Sequence, residues 1–216
     1  VVRTAAIHDD NPEISGAVAR GIPVFERTQA WGALMRGYPN ALCISGTHGK
    51  TTTTSMCTHI MMAAEKDPTV MIGGTLPLLK ACHRVGKGNT IIMESCEYYN
   101  SFLALNPTIA VVLNIEADHL DFFKDLEDIK HSFRCFAERV PAETGTVIAN
   151  YDDANTMDAL RGIARKVITF GLNAKADVYA QNIVHRGSVS EFDIYHRGNY
   201  FARVTLHVPG IHNVRN

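Results

Sequence analysis

Short apolar runs recur along the chain, and the segments between them carry apolar residues at every third or fourth position. The clearest runs are 41–45, 90–94 and 109–114, and the last of them is apolar up to its final residue. Runs without polar alternation predict strands that are covered on both faces of a sheet. Further strands are predicted at 69–74, 145–149 and 167–170.

Helices are predicted between these strands, and this alternation is typical of a parallel sheet. Behind the run at 41–45, Met56, Ile60 and Ala63 have helical spacing and predict a helix that continues to about residue 65. The segment 128–139 is amphipathic and predicts a second helix. A third is expected at 153–164, and the strand at 69–74 is expected to end in a glycine turn.

The first forty residues have their own strand and helix alternation. Strands are predicted at 1–7 and 21–25, a helix from the Asn11–Pro12 pair to about residue 20, and another helix at 28–35. This alternation lacks a first strand with a glycine turn, so we expect the chain to begin part-way through a domain. The predicted division is the end of one domain at 1–38 and a second domain at 39–216.

The pattern changes after Gly171. Strands are predicted at 177–184, 190–195 and 200–206, joined by polar turns that contain Gly187 and Gly198. Strands joined by such short turns predict an antiparallel meander. The expected fold class is therefore α/β, with a mostly parallel sheet flanked by helices and a small antiparallel meander near the C-terminus.

A glycine loop lies between the strand at 41–45 and the helix behind it, and its sequence is GTHGKTT at 46–52. Strand, glycine loop and helix is the context in which backbone N–H groups and a helix N-terminus bind phosphate. Lys50 is expected to reach the outer phosphates, and the Thr51 hydroxyl to bind magnesium. The predicted nucleotide-binding residues of the loop are Gly46, Thr47, His48, Gly49, Lys50, Thr51 and Thr52.

The spacing leaves a second interpretation of the loop open. Ile44 stands where the longer form of this motif has its first glycine, so the loop is a shorter variant. A glycine turn before an ordinary surface helix is the alternative. The preceding strand, the following helix and four successive threonines favour nucleotide binding, although we assign Thr53 and Thr54 to the first turn of the helix.

Two further polar clusters follow predicted strands, at 94–97 and 114–121. Ligands of open parallel sheets bind beyond the carboxyl ends of the strands, so these clusters are expected to lie near the loop. Magnesium takes oxygen ligands and usually only one or two from protein. Glu94 is the first candidate ligand and His119 the second, with a capping carboxylate and a solvated acidic loop as the alternatives.

Composition narrows the function classes. The 216 residues carry a net charge of −1, with 46% hydrophobic and 20% charged residues, as in a soluble globular protein. This balance gives no electrostatic basis for binding nucleic acid or a membrane surface, and no apolar run approaches the length of a membrane span. Five scattered cysteines and the lack of an export leader predict reduced thiols and a cytoplasmic protein.

Four motifs in this order resemble the Mur ligases, the ATP-dependent amide-forming ligases of peptidoglycan synthesis. They are the loop at 46–54, the Glu94 to Phe102 segment, NIEADHLD at 114–121 and PGIHNVRN at 209–216. His48 and the third motif are similar to the branch that joins L-alanine to UDP-N-acetylmuramate. The resemblance implies that residues 1–38 end a Rossmann-like, UDP-sugar-binding domain and that 39–216 form the central ATP-binding domain.

The resemblance also implies a reaction and a set of roles. The γ-phosphate of ATP passes to the substrate carboxylate, and the amino group of L-alanine attacks the acyl phosphate. Lys50 would hold the β- and γ-phosphates, Thr51 and Glu94 one magnesium ion, and His119 a second. Lys50, Glu94 and His119 would thus be the catalytic residues, and the asparagines that recognise adenine would be Asn213 and Asn216.

Departures from the family pattern leave alternatives. Many relatives carry aspartate where this chain has Cys96 and Tyr99, so roles there are open. The resemblance implies three domains: a UDP-sugar-binding domain, a central ATP-binding domain and a C-terminal domain that closes over the site. Residues 1–216 alone are therefore not expected to complete the reaction. A recycling ligase that adds a tripeptide to the same sugar nucleotide, the more distant folylpolyglutamate synthases and a non-catalytic nucleotide-binding module are the other interpretations.

Overall fold

The computed structural model describes residues 1–4 and 7–216, and within them one large mixed sheet dominates the chain. Ten of the described strands form it, in the order β12-β11-β10-β9-β8-β7-β3-β6-β4-β5. Strand β3 (Asn40–Ser45) is central and pairs in parallel with β6 (Thr90–Glu94) and β7 (Ile109–Val112). The predicted α/β class with a mostly parallel sheet is confirmed.

The remaining strands extend the sheet in both directions. On one side, β4 (Thr69–Leu76) pairs in parallel with β6, and β5 (Ala81–Arg84) is an antiparallel edge. On the other, β8 (Thr146–Asn150) and β9 (Lys166–Gly171) continue the parallel order. The carboxyl ends of β3, β6 and β7 therefore meet at one edge of the sheet, which is where ligands of such sheets bind.

The predicted meander is confirmed and is continuous with the main sheet. It consists of the antiparallel strands β10 (Val178–Arg186), β11 (Val189–His196) and β12 (Asn199–Leu206). The first of them begins with a short parallel pairing on β9, where Val178 is opposite Phe170. One sheet thus joins the predicted nucleotide-binding half to the meander.

The N-terminal residues form a small separate unit of sheet. Strands β1 (Val2–Arg3) and β2 (Phe25–Glu26) pair in parallel, and α1 (Pro12–Ala19) and α2 (Arg27–Met35) follow them. Helix α1 begins as predicted because the Asn11 side chain accepts hydrogen bonds from the first-turn N–H groups. The strand predicted at 1–7 includes residues 5 and 6, which lie outside the described residues, and the one predicted at 21–25 starts only at Phe25.

Helices cover both faces of the large sheet. They are α3 (Lys50–Ala63), α4 (Leu126–Ala137), the short α5 (Ala154–Ala159), a 3-10 helix at Tyr98–Ala104 and the terminal α6 (Ile211–Arg215). On one face, Phe102 packs against Phe133 and Phe136, all fully buried. A second apolar cluster that includes Ile72 and Ile92 covers the other face, as the continuous apolar strands predicted.

Several element boundaries were predicted wrongly. The strand expected at 69–74 does not turn at its glycines but runs on to Leu76, and the helix expected at 153–164 ends at Ala159. Strand β5 and the 3-10 helix were not predicted. Both depend on tertiary contacts, because β5 exists through pairing with β4, and the 3-10 segment contains Tyr99 and Asn100 with positive φ.

Candidate functional site

The glycine loop at 46–52 connects β3 to α3 as predicted, and its two glycines are required by the backbone. Gly46 has φ of 147° and Gly49 has φ of 85°, which side-chain-bearing residues rarely adopt. A Cβ on Gly46 would lie 2.9 Å from Leu113 Cβ, so the loop also packs closely on the end of the neighbouring strand. The loop therefore needs glycine at both positions, and its backbone is free of side chains there.

Asn114, two residues beyond the end of β7, holds the loop in shape. Its Oδ1 accepts from the His48 N–H at 2.7 Å, and its Nδ2 donates to the His48 carbonyl at 2.9 Å. Its own carbonyl accepts from the Thr47 N–H at 3.0 Å, and the Glu116 N–H donates to Thr47 Oγ1 at 2.9 Å. The third sequence motif thus supports the glycine loop through hydrogen bonds.

The Lys50 ammonium group lies inside the loop and contacts a buried carboxylate. Its Nζ donates to the Gly46 carbonyl at 2.6 Å and the Thr47 carbonyl at 3.2 Å. It also lies 2.9 Å from Oε2 of Glu97, a residue that is only 2% exposed. Buried carboxylates are stable as ions only when paired, so Lys50 and Glu97 compensate each other.

Thr51 and Glu94 form a second polar pair beside the first. The Thr51 hydroxyl donates to Glu94 Oε1 at 3.0 Å, and the Gly73 N–H donates to Glu94 Oε2 at 2.7 Å. A Cβ on Gly73 would lie 2.6 Å from Glu94 Oε1, which explains why β4 carries glycine in mid-strand. The hydroxyl and the carboxylate present oxygen atoms, the ligand type that magnesium prefers.

The structure places His119 next to Glu97. Its Nε2 lies 3.8 Å from Glu97 Oε1 and 4.0 Å from Asp118 Oδ2. Its φ of 52° is in the left-handed region, at the start of a turn in which its carbonyl accepts from Phe122 and Phe123. Within residues 1–4 and 7–216, no group of three or more His, Cys, Asp and Glu side chains is arranged to hold a metal.

The two predicted adenine-binding residues lie on the other side of the loop. The Asn216 Nδ2 donates to Asn213 Oδ1 at 3.3 Å, and Asn213 Nδ2 donates to the Pro209 carbonyl at 2.6 Å. Both residues line a cleft of about 370 Å³ together with His48, Gly49 and Thr52. A neighbouring cleft of about 260 Å³ continues past Asn216 to the ends of β8 and β9.

Comparisons with known proteins show the family of the chain. A family model described as the Mur ligase middle domain matches residues 44–216. The chain belongs to the Mur ligase family. It is 44% identical to the UDP-N-acetylmuramate–L-alanine ligase of Caldanaerobacter subterraneus subsp. tengcongensis, and this match covers 100% of the chain and 47% of the relative. The chain thus spans about half the length of the curated relatives it matches.

Solved Mur ligase structures have the same fold. UDP-N-acetylmuramate–alanine ligase from Thermotoga maritima superposes with a TM-score of 0.83 and 26% identity, over 100% of this chain and 48% of that one. The Neisseria meningitides ligase that joins UDP-N-acetylmuramate to L-alanyl-γ-D-glutamyl-meso-diaminopimelate has a TM-score of 0.86 and 24% identity, over 99% and 69%. At 24% identity the second likeness concerns the fold alone.

Within this candidate site, sequence reasoning assigned no role to three residues. Glu97 is central because it pairs with Lys50 and faces His119, while Asn114 and Gly73 support the loop and Glu94. Glu97 lies in one of the predicted polar clusters, and its position after β6 was the available signal. Asn114 begins the other predicted cluster, whereas the contact of Gly73 with Glu94 joins distant parts of the chain and leaves no local sequence signal.

Thr53, Thr54, Cys96 and Tyr99 can also be placed. The hydroxyls of Thr53 and Thr54 donate to carbonyls one turn earlier in α3, which agrees with their assignment to the helix. Cys96 lies beside Glu97, and partial burial raises the pKa of its thiol. Tyr99 is exposed and packs against Tyr98 and Phe122. An aromatic surface therefore lies next to His119.

Gly73→Ala is expected to weaken magnesium-dependent nucleotide binding by about 10-fold or more, because the added methyl group displaces the Glu94 carboxylate. Gly74→Ala is the matched control, since a Cβ there meets Thr51 Cγ2 at an ordinary 3.5 Å. Calorimetric titration of magnesium-ATP into both full-length variants measures the difference. Equal affinities would contradict a role for Glu94 in this site.

Proposed function

We propose that this chain is the central, ATP-binding part of a ligase that joins L-alanine to the carboxylate of UDP-N-acetylmuramate. The observation that carries the proposal is the convergence of the Lys50–Glu97 and Thr51–Glu94 pairs at the carboxyl ends of adjacent strands. A phosphate loop alone would serve any nucleotide-binding module. The added carboxylates and His119 favour an enzyme, and the 44% identity to a ligase of this specificity supports the substrates.

ATP binding is proposed along the surface from the loop to the C-terminal asparagines. The loop N–H groups and the N-terminus of α3 would surround the phosphates. The residues that line this phosphate-binding site would be Gly46, Thr47, His48, Gly49 and Thr52. Lys50 would exchange its contacts with the Gly46 and Thr47 carbonyls for the β- and γ-phosphates. Asn213 and Asn216 would contact adenine from the cleft beside His48.

The residues present fit magnesium. The Thr51 hydroxyl and the Glu94 carboxylate form an oxygen pair of the kind that binds this ion together with phosphates. Glu97 and His119 provide a second pair, which would hold an ion nearer to the substrate carboxylate. Magnesium, when bound, supplies positive charge that offsets the charge of the transferring phosphate.

In the proposed reaction the substrate carboxylate attacks the γ-phosphate, which forms an acyl phosphate and releases ADP. The amino group of L-alanine then attacks the acyl carbon, and phosphate leaves as the amide bond forms. The task of the protein is to position these groups and stabilise charge, and Lys50 has the right place for both. Residues 1–216 and other parts of the full-length protein would bind the substrates jointly.

The proposal includes a cytoplasmic location, where nucleotide substrates are available. In the residues that the structure describes, no helix has the length and apolar character needed to cross a bilayer. Neither nucleic acid nor membrane insertion has a part in the proposed function. The division into a unit at 1–38 and an ATP-binding domain at 39–216 stays a prediction.

A comparison of two amines, each added separately, tests the proposed substrates. With UDP-N-acetylmuramate and magnesium-ATP, the full-length protein is expected to release phosphate when L-alanine is added. The tripeptide L-alanyl-γ-D-glutamyl-meso-diaminopimelate should give a rate at least about 100-fold lower, because a site built for a small amine lacks room for it. A higher rate with the tripeptide than with L-alanine would favour the recycling ligase. If no phosphate is released with either amine, the non-catalytic module is favoured.

A further inference from the structure

His119 needs a partner that fixes its ring. Its backbone begins a tight turn in the left-handed region, and its side chain is one-third exposed. Within residues 1–4 and 7–216, no hydrogen bond restrains the imidazole, because the Glu97 carboxylate at 3.8 Å is beyond hydrogen-bonding distance. Histidines that bind metals are usually oriented by a neighbouring group, so the contacts on the ring faces become important.

Tyr98 is in contact with one face of that imidazole. The two rings are stacked, with centroids 4.3 Å apart and an angle of 24° between their planes. Tyr98 directly follows Glu97 in sequence. The same short segment therefore provides the carboxylate that His119 faces and the aromatic ring that limits its rotation.

Tyr98 is itself held from several sides. Its hydroxyl donates to Asp121 Oδ2 at 2.5 Å. The centroid of its ring lies 4.4 Å from that of Tyr99 and 6.2 Å from that of Phe122. The Asp121 carboxylate can only accept this hydrogen bond, so the contact fixes the direction in which the Tyr98 hydroxyl points. Asp121 belongs to the same turn as His119, so the turn and Tyr98 restrain each other.

We propose that Tyr98, held by Asp121, is the positioning residue that keeps the His119 imidazole edge-on to Glu97. The stack restricts rotation of the imidazole about its side-chain bonds, which leaves Nε2 directed at the Glu97 carboxylate. This inference deepens the proposed function and rests on it only for the claim that Glu97 and His119 share a divalent cation. The stack and its effect on the ring can be measured without any substrate.

Nuclear magnetic resonance of the full-length protein, labelled with ¹³C at histidine Cε1, tests the stack directly. The His119 signal is identified by its disappearance in His119→Gln. The neighbouring aromatic ring should shift this signal upfield. Tyr98→Leu should abolish the upfield shift, Tyr98→Phe should keep most of it, and Tyr200→Leu, the same change on the exposed edge of β12, should leave it unaltered.

Titration with Mn²⁺ alone tests the consequence for cation binding. Because Mn²⁺ also broadens signals some distance away, the broadening of His119 is compared with that in Glu97→Gln, which keeps Thr51 and Glu94, and only the excess reports Mn²⁺ at that ring. Tyr98→Leu should raise the concentration needed for half of this excess broadening by about 10-fold. Tyr98→Phe should raise it less, because the ring stays while the hydrogen bond to Asp121 is lost. A fold defect in Tyr98→Leu would appear as changes throughout the histidine signals, and Tyr98→Phe then provides the comparison.

The outcomes separate the two claims. An unchanged His119 shift in Tyr98→Leu, or unchanged Mn²⁺ broadening despite a lost shift, would overturn the positioning role. Failure of Mn²⁺ to broaden His119 in the unsubstituted protein would overturn the proposed cation site. In that case the shift alone decides whether Tyr98 orients the ring.

Discussion

Lys50→Ala is expected to lower ATP-dependent turnover of the full-length protein by at least about 100- to 1000-fold, as for loss of a charge-stabilising donor. No other ammonium group contacts the loop carbonyls among the described residues. The measurement is phosphate release at saturating UDP-N-acetylmuramate and L-alanine. Lys66→Ala, at an exposed lysine just beyond the same helix, is the matched control and should retain full activity.

The substitution has a second effect that must be separated from the first. Removal of Lys50 leaves the buried Glu97 carboxylate without its partner, which costs about 3–5 kcal/mol for typical buried pairs. The double variant Lys50→Ala with Glu97→Gln removes both charges and should regain much of the lost stability in urea unfolding. It should regain no turnover, and recovery of turnover with stability would contradict a direct role for Lys50.

Phe102→Ala is expected to lower the free energy of unfolding by about 3–5 kcal/mol, the usual cost of emptying a buried phenylalanine site. Phe102 is 0% exposed, stacks on Phe136 at 4.6 Å and meets Phe133 edge-on at 5.3 Å. A cavity there cannot close easily because both neighbours come from one face of α4. Urea unfolding followed by circular dichroism measures the change.

Phe201→Ala is the control for this prediction. Phe201 lies on the edge strand β12 and is 72% exposed, so its removal should change the free energy of unfolding by no more than about 0.5 kcal/mol. A Phe102→Ala effect as small as that of Phe201→Ala would mean that the aromatic cluster contributes little to stability.

The features that the sequence predicted well are those with local causes. The loop at 46–52 was recognised because glycines, lysine and threonines are adjacent, and β6 was placed correctly because its apolar run is continuous. The start of α1 at the Asn11–Pro12 pair, which was also predicted, is equally local. In each case the residues that determine the conformation lie within a few positions of one another.

The features that were missed depend on contacts between distant segments. Strand β4 passes through Gly73 because the Glu94 carboxylate needs that space, whereas a glycine pair alone indicates a turn. The positive φ of Asn100 accompanies a hydrogen bond that its side chain accepts from Ser132 in α4. Glu97 was expected near the loop as part of the cluster at 94–97, but its contacts with Lys50 and His119 are seen only in the folded structure.

One short segment joins the aromatic core to the polar site. Glu97 and Phe102 are five residues apart. Two backbone hydrogen bonds restrain the segment between them: the Asn100 N–H donates to the Glu97 carbonyl, and the Phe102 N–H donates to the Cys96 carbonyl. Loosening of the core at Phe102, Phe133 or Phe136 would therefore displace Glu97 before the sheet melts. Temperature-sensitive variants of the protein should therefore include substitutions in this aromatic cluster, outside the proposed nucleotide contacts.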